Sequence, residues 1–370
     1  MLELGRNLTS VLVTGGAGFI GSALCRSLAS ITNVRLLVLD KLTYAGHLSS
    51  LGSILEQSNV DFIQGDICDA QLLAEIFGKF RPDAVMHLAA ESHVDRSITS
   101  SREFITTNVV GTLNLLEAAR AYWQTLRADR DQFRFQYVST DEIYGSLEPG
   151  RTFNEDSRID PRSPYSASKA GAEHLASAWF HTYGLPVLIS GCSNNYGPYQ
   201  LPEKLVPLAI LNALEELPIP LYGDGRNVRD WIYVEDHVNA LLRILCRAPP
   251  GSKLNVGSRS ERTNIEVVQL ICDLVDRHAG SRSRRRLISP VADRPGHDLR
   301  YAIDPSRIEA QLNWRAIVPF AEGLDSTVVW YLANRNWWTP IRQQGHGKIR
   351  LGAIDINPLD GGAKGEVKEP

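Results

Sequence analysis

No apolar run in these 370 residues approaches the ~20 needed to cross a membrane, which excludes a spanning helix. Cysteine is scarce and scattered. Cys25, Cys68, Cys192, Cys246 and Cys272 form no C-x-x-C pair. Their spacing argues against a disulfide framework or a zinc site and for reduced thiols in the cytoplasm. Neither charge sign prevails: 39 Lys and Arg against 42 Asp and Glu leave −3. Such a balance offers no field to hold nucleic acid or a membrane surface. The one basic run, SRSRRR (Ser281–Arg286), predicts a solvated loop. There are no internal repeats, and MLELGRNLTSVLV lacks a basic region leading into a long apolar segment, so no secretory leader is expected.

What is present is an alternation. Short apolar strands are predicted at Ser10–Thr14, Val34–Leu39, VDFIQGD, DAVMHLAA and FRFQYVS. Helical patterns separate them, the clearest being NVVGTLNLLEAARAYWQTL. Continuous apolar strands between helices predict a parallel sheet covered on both faces, an α/β doubly wound Rossmann-like fold. The length exceeds a typical domain of ~150 residues, so one large domain or two intergrown ones are expected.

The first strand runs into GGAGFIG, where Gly16, Gly18 and Gly21 fit G-x-G-x-x-G and Gly15 adds another glycine. Glycines let a backbone approach a pyrophosphate, and the helix that follows offers free N–H groups. Asp40, at the end of the second strand, suits a ribose diol and repels a 2′-phosphate, favouring NAD over NADP. Phe19, Ile20, Lys41 and Thr43 share these two turns. Asp66 and Ile67 after the third strand are candidates for the adenine, and Leu88, Ala89 and Ala90 end the fourth strand with room for a dinucleotide. The bland reading is a tight packing turn with Asp40 as a helix cap.

SPYSASKAGAEHLASAW predicts a helix opened by Pro164, with Tyr165 and Lys169 on one face. An ammonium beside a phenol lowers its pKa and makes it a usable base. Alone, a Tyr-x-x-x-Lys helix is common. Behind a dinucleotide-binding half it points to dehydrogenase chemistry. The fifth strand ends in Ser139, Thr140, Asp141 and Glu142. Neighbouring carboxyls in a closed site lose their protons in separate steps, which supplies an acid and a base side by side, as elimination of water requires.

This combination resembles the extended short-chain dehydrogenase/reductase family, and STDEIYG resembles the active-site segment of its nucleotide-sugar 4,6-dehydratases. DKLTYAG, HLAAESHVDRSI, SPYSASKA, CSNNYGPYQLPEKLVPL, RDWIYVEDH and VADRPGHDLRYAID are similar to the same group, covering about Val11 to Asn336. The resemblance implies NAD as cofactor and a nucleotide-linked glucose as substrate, with dTDP ahead of UDP as the carrier. It implies that Tyr165, Lys169 and Thr140 serve oxidation at carbon 4, Glu142 takes the carbon 5 proton, and Asp141 protonates the departing 6-hydroxyl. It places Thr107, Asn195 and Ser92 along the cofactor and substrate channel, and implies a homodimer built from the long helices.

After Asn195 turn residues multiply, and a smaller C-terminal substrate lobe is expected over 196–338, partly interleaved with a dinucleotide domain over 1–195. The resemblance assigns Asn194, Glu203, Lys204, Leu205, Pro220, Arg229, Asn264, Arg294 and His297 to the nucleotide diphosphate side. Arginine's fork suits phosphate. For each taken singly, a surface salt bridge is the alternative. Tyr222 is a candidate to stack on the base or, equally, a core tyrosine. From 339 to 370 an extended or disordered tail is expected. An epimerase or decarboxylase would have no use for the acid pair, and a non-catalytic NAD-binding regulator none for Tyr165, Lys169 and the pair together.

Overall fold

The computed structural model describes residues 8–31, 33–148, 150–280, 283–293 and 295–343. Its strands are β1 (Ser10–Thr14), β2 (Arg35–Asp40), β3 (Val60–Gln64), β4 (Ala84–His87), β5 (Arg134–Thr140), β6 (Val187–Cys192), β7 (Asn194–Tyr196), β8 (Ile219–Tyr222), β9 (Val228–Tyr233), β10 (Lys253–Val256), β11 (Glu261–Thr263) and β12 (Ile288–Val291). Seven form one sheet in the order β10-β6-β5-β4-β1-β2-β3. Every neighbouring pair in it is parallel. The order reverses between β1 and β4, the switch point at which ligands gather in such sheets.

Alternation along the strands builds two cores. Val11, Val13, Leu36 and Val38 face one side with the helices Phe19–Ala29 and Val234–Arg247. Leu12, Leu37, Val85, Phe135 and Tyr137 face the other with Ala70–Phe80, Thr112–Thr125 and Pro164–Tyr183. Successive side chains on a pleated strand point to opposite faces, so continuously apolar strands require cover on both. A third core, including Ile210, Leu221, Val268, Ile271 and Leu324, lies under the small sheets β11-β9-β7 and β12-β8. β10 returns from the second half of the chain to pair with β6 at the edge of the large sheet.

Three expectations are corrected. The basic run is not simply solvated. Its described part forms a short 3-10 helix, Arg284–Leu287, and Arg284 is buried, bonding Asp276 at 2.8 Å and donating to the Ala213 carbonyl. The preceding helix presents Asp276 and Asp273 to the run, so Arg285 pairs with Asp273, while Arg286 reaches Glu216 just beyond the helix Leu205–Leu214. The expected tail start at 339 falls inside the helix Arg335–Ile341. Trp337, Trp338 and Ile341 are buried there, and the Trp338 indole donates to the Tyr331 carbonyl at 2.8 Å. Residues 344–370 lie outside the described residues, as does the candidate Arg294. Finally, the long helical pattern at 108–126 begins as a π-helical segment, Ile105–Gly111, before it becomes α-helix. A π turn of this kind frequently marks a functional site.

Candidate functional site

The carboxyl ends of β1, β2, β4, β5 and β6 open onto a cleft of about 310 Å³. At one end, Gly15 turns the chain out of β1 at φ +72°. A Cβ on Gly15 would lie 2.5 Å from the Ala89 nitrogen, and one on Gly21 would lie 2.1 Å from the Gly15 carbonyl oxygen. Only glycine fits that crossing. Gly18 caps the helix Phe19–Ala29 without any side-chain bond, so the N–H groups of its first turn stay available to an anion. Gly15→Ala is expected to destabilise the fold by ~2 kcal/mol or more, from left-handed strain plus the clash, and to abolish saturable NAD binding. Thermal unfolding and cofactor titration read the two effects separately.

Asp40 is buried beside this turn and accepts from the Ala17 N–H at 2.9 Å and the Leu42 N–H at 2.8 Å. Burial raises its pKa, and those two backbone donors pull it back. Lys41 does not contest Asp40. Its ammonium pairs with Asp66 at 2.7 Å on the cleft rim. A glycine cradle closed to any side chain, a free helix terminus and a carboxylate at the end of β2 fit NAD. Phe19, Ile20, Thr43, Ile67, Leu88, Ala90, Thr107 and Asn195 line the same cleft.

At the other end stand Thr140, Asp141, Glu142, Tyr165 and Lys169. β5 finishes in a short 3-10 turn, Asp141–Tyr144, capped by the Thr140 hydroxyl accepting from the Glu142 N–H. Gly145 turns the chain away at φ +82°, so both acids stay at the strand end. Asp141 is buried, and its Oδ2 has no hydrogen-bond partner. Burial, then the neighbouring Glu142, hold its pKa well above the usual carboxylate range, with Arg229 opposing. Burial and Glu142 thus both favour the protonated form of Asp141.

The helix Pro164–Tyr183 starts on a Ser163–Ser166 capping box with Pro164 in its first turn, and Gly184 closes it in the left-handed region. That fixed start sets Tyr165 and Lys169 in register. The expected depression of the phenol is not what this arrangement produces. Burial, then Glu142, push Tyr165 above its usual value, while the Thr140 hydroxyl opposes. Lys169 donates to the Val138 carbonyl at 2.7 Å and sits 4.3 Å over the Tyr137 ring. Burial lowers its pKa to about 8.

The remaining candidates divide. Ser92, Asn194 and Lys204 line the cleft, and Lys204 donates to the Ser92 carbonyl at 3.1 Å. Glu203, Leu205, Pro220, Tyr222, Arg229, Asn264 and His297 do not line it. Glu203 is buried against His93 and Arg96, at 3.7 and 3.8 Å. Tyr222 donates to Asp95 at 2.9 Å and meets the His297 ring edge-on. Two fork nitrogens of Arg229 donate to the Val228 and Asp298 carbonyls. Asn264 opens the helix Asn264–Ala279, its buried Oδ1 without a hydrogen-bond partner.

Several residues were not foreseen. Cys192, Ser193, Gln200 and Leu201 also line the cleft. Cys192 ends β6, and the strand-end rule alone would have found it. His87 bridges Thr14 and Thr112 at 2.7 and 2.9 Å, and its pKa is lowered to about 3, so the ring is neutral. Asn108 ties the Glu91 backbone to Ser168, linking the π segment to the Tyr–Lys helix.

A doubly wound sheet that delivers a phosphate turn and a Tyr–Lys helix to one cleft defines the class: an extended short-chain dehydrogenase/reductase. The GDP-mannose 4,6 dehydratase family model matches residues 12–327, and the chain belongs to that family. A probable dTDP-glucose 4,6-dehydratase of Sinorhizobium fredii is 54% identical over 347 residues, 93% of this chain and 99% of the relative. The dTDP-glucose 4,6-dehydratase of Neisseria meningitidis is 51% identical over 354 residues, with the same shares. The crystal structure of DesIV, a dTDP-glucose 4,6-dehydratase from Streptomyces venezuelae with NAD bound, superposes with a TM-score of 0.82 at 44% identity, covering 90% of this chain and 99% of that one.

Proposed function

We propose that the chain is an NAD-dependent hydro-lyase that converts dTDP-glucose to dTDP-4-keto-6-deoxyglucose. The observation that carries this reading is the buried Asp141 beside Glu142, its pKa raised by burial, in the same cleft as the glycine cradle. Relatives of about 50% identity along nearly the whole chain support dTDP over UDP as the carrier. Bound NAD supplies a hydride acceptor at carbon 4 and a hydride source at carbon 6.

The residues do the rest. Thr140 orients the 4-hydroxyl and Tyr165 takes its proton. The Lys169 cation favours the phenolate that accepts it. The 4-ketone acidifies carbon 5, and Glu142 removes that proton. Asp141 gives its proton to the 6-hydroxyl, which leaves as water. Glu142 then returns a proton to carbon 5. The proton gained by Tyr165 offsets the one lost by Asp141, so once these exchange through solvent the sum is loss of one water and the cofactor ends as it began.

Incubating the protein with NAD and dTDP-glucose tests the reading, since the 4-keto-6-deoxy product absorbs in alkali. An epimerase would yield dTDP-galactose and no such absorbance. A panel of dTDP-, UDP- and CDP-glucose and GDP-mannose ranks the carriers. Asp40→Ala is expected to weaken NAD binding about 10- to 100-fold, the value of a charge-assisted hydrogen bond or two, and to narrow the preference over NADP. Calorimetric titration with both cofactors checks it.

The cytoplasm is the compartment this reading favours. The five cysteines are unpaired, and no helix among the described residues is long and apolar enough to cross a membrane. We also take the working form to be a homodimer through the helices at 105–125 and 164–183. Ile105 and Val110 on that face are 46% and 42% exposed, which a partner copy would cover.

A further inference from the structure

One helical turn beyond Lys169 stands Glu173, which lines a second cavity and not the cofactor cleft. It is 3% exposed. One carboxylate oxygen lies 2.6 Å from the Lys253 ammonium, and the other has no hydrogen-bond partner. Lys253 begins β10, the edge strand, and sits 4.9 Å over the Tyr144 ring. Both residues line a separate cavity of about 190 Å³ with His174 and His181. The ion pair thus bridges the Tyr–Lys helix to the sheet edge, outside the site described above.

Lys169 needs support of this kind. A buried ammonium is costly unless an opposite charge answers it. β5 offers it a carbonyl and a ring, from Val138 and Tyr137. β4 offers His87, a neutral imidazole. β6 offers Cys192, whose pKa burial raises to about 12, so it too is neutral. Of the two groups that favour the Lys169 cation, Cys192 and Glu173, the carboxylate is the charged one. Residues four apart on a helix are neighbours, so its field acts at short range through a dry interior.

We propose that Glu173, anchored by Lys253, is a positioning residue that keeps Lys169 a cation at the closed end of the cofactor cleft. This rests on the role given above to Lys169 beside Tyr165. The competing account is an ion pair that only braces the helix against the sheet. Buried pairs replaced by neutral groups of similar size often leave stability unchanged, so the two accounts separate.

The experiment compares the wild type with Glu173→Gln, Glu173→Asp and the double variant E173Q/K253M, which leaves no unpaired buried charge. The first readout is the titration of Lys169 itself, from the pH dependence of its trace acetylation by acetic anhydride, followed by peptide mass spectrometry. Without its negative neighbour the ammonium gives up its proton more easily. The Lys169 titration should therefore fall by roughly one pH unit in Glu173→Gln and in the double variant, and stay in place in Glu173→Asp. The alkaline limb of kcat/KM on dTDP-glucose should move down with it. A purely structural pair predicts a lower melting temperature for Glu173→Gln, recovery in the double variant and an unmoved titration in both. That last result overturns the proposal. Acetylation does not depend on turnover, so absence of dehydratase activity in the wild type would sink the function and leave this test decisive.

Discussion

Tyr165→Phe is expected to lower kcat on dTDP-glucose about 10³-fold, within the 10²–10⁴ range of a lost general base. The substitution removes one oxygen and leaves the ring. That ring is buried and packs edge-on to Phe104 at 6.4 Å between centroids, a contact phenylalanine preserves. The fold and KM should change little, because the nucleotide end of the substrate is held elsewhere. The phenol in this structure is a poor acid, since burial and Glu142 both disfavour the phenolate. The Thr140 hydroxyl opposes this shift, and in the proposed mechanism the Lys169 cation one turn along the helix favours the phenolate. Steady-state rates with circular dichroism as a fold control decide the matter. Turnover within tenfold of wild type would remove Tyr165 from the chemistry.

The parts of the cleft legible in the sequence are those whose meaning is local. The glycine turn declares itself because strand, glycines and helix follow one another within a dozen residues. Pro164, Tyr165 and Lys169 do so because helical spacing alone puts the last two on one face. Asp141 and Glu142 were conspicuous as a charged pair closing an apolar strand. What stayed hidden depends on contacts between distant segments. Nothing near His87 says that Thr14 and Thr112 will grip its ring. The buried state of Arg284 depends on which way the helix before it turns its acids. The placement of β10 beside β6 is a pairing between halves of the chain, invisible to periodicity. Arg229 and Glu203 were read as ligand groups and Tyr222 as either a base-stacking or a core residue; the protein partners each has come only from the fold. Burial explains the remaining surprise. Spacing put Lys169 near Tyr165, but only the fold shows that desolvation is the first influence on both, raising the phenol and lowering the ammonium.

The acid pair gives the second large effect, and its two halves should fail differently. Asp141→Asn keeps the shape of a buried side chain but has no proton to give, so departure of the 6-hydroxyl should slow by about 10²- to 10³-fold. Glu142 still removes the carbon 5 proton in that variant. Substrate recovered from deuterated water should then carry deuterium at carbon 5. Glu142→Gln should lose product formation to a similar extent, together with the exchange, because the base itself is gone. It should also change how Asp141 titrates. Burial is the first cause of its raised pKa and Glu142 the second, so removing Glu142 leaves Asp141 raised chiefly by burial and ionising at a lower pH than in the wild type. The sign follows from like charge: a neighbouring carboxylate opposes a second negative charge, and its loss eases that ionisation. Mass spectrometry of recovered dTDP-glucose measures the exchange, and alkaline absorbance measures the product. Exchange persisting in Glu142→Gln and vanishing in Asp141→Asn would swap the two roles, and exchange persisting in both would place the base on another residue of the cleft.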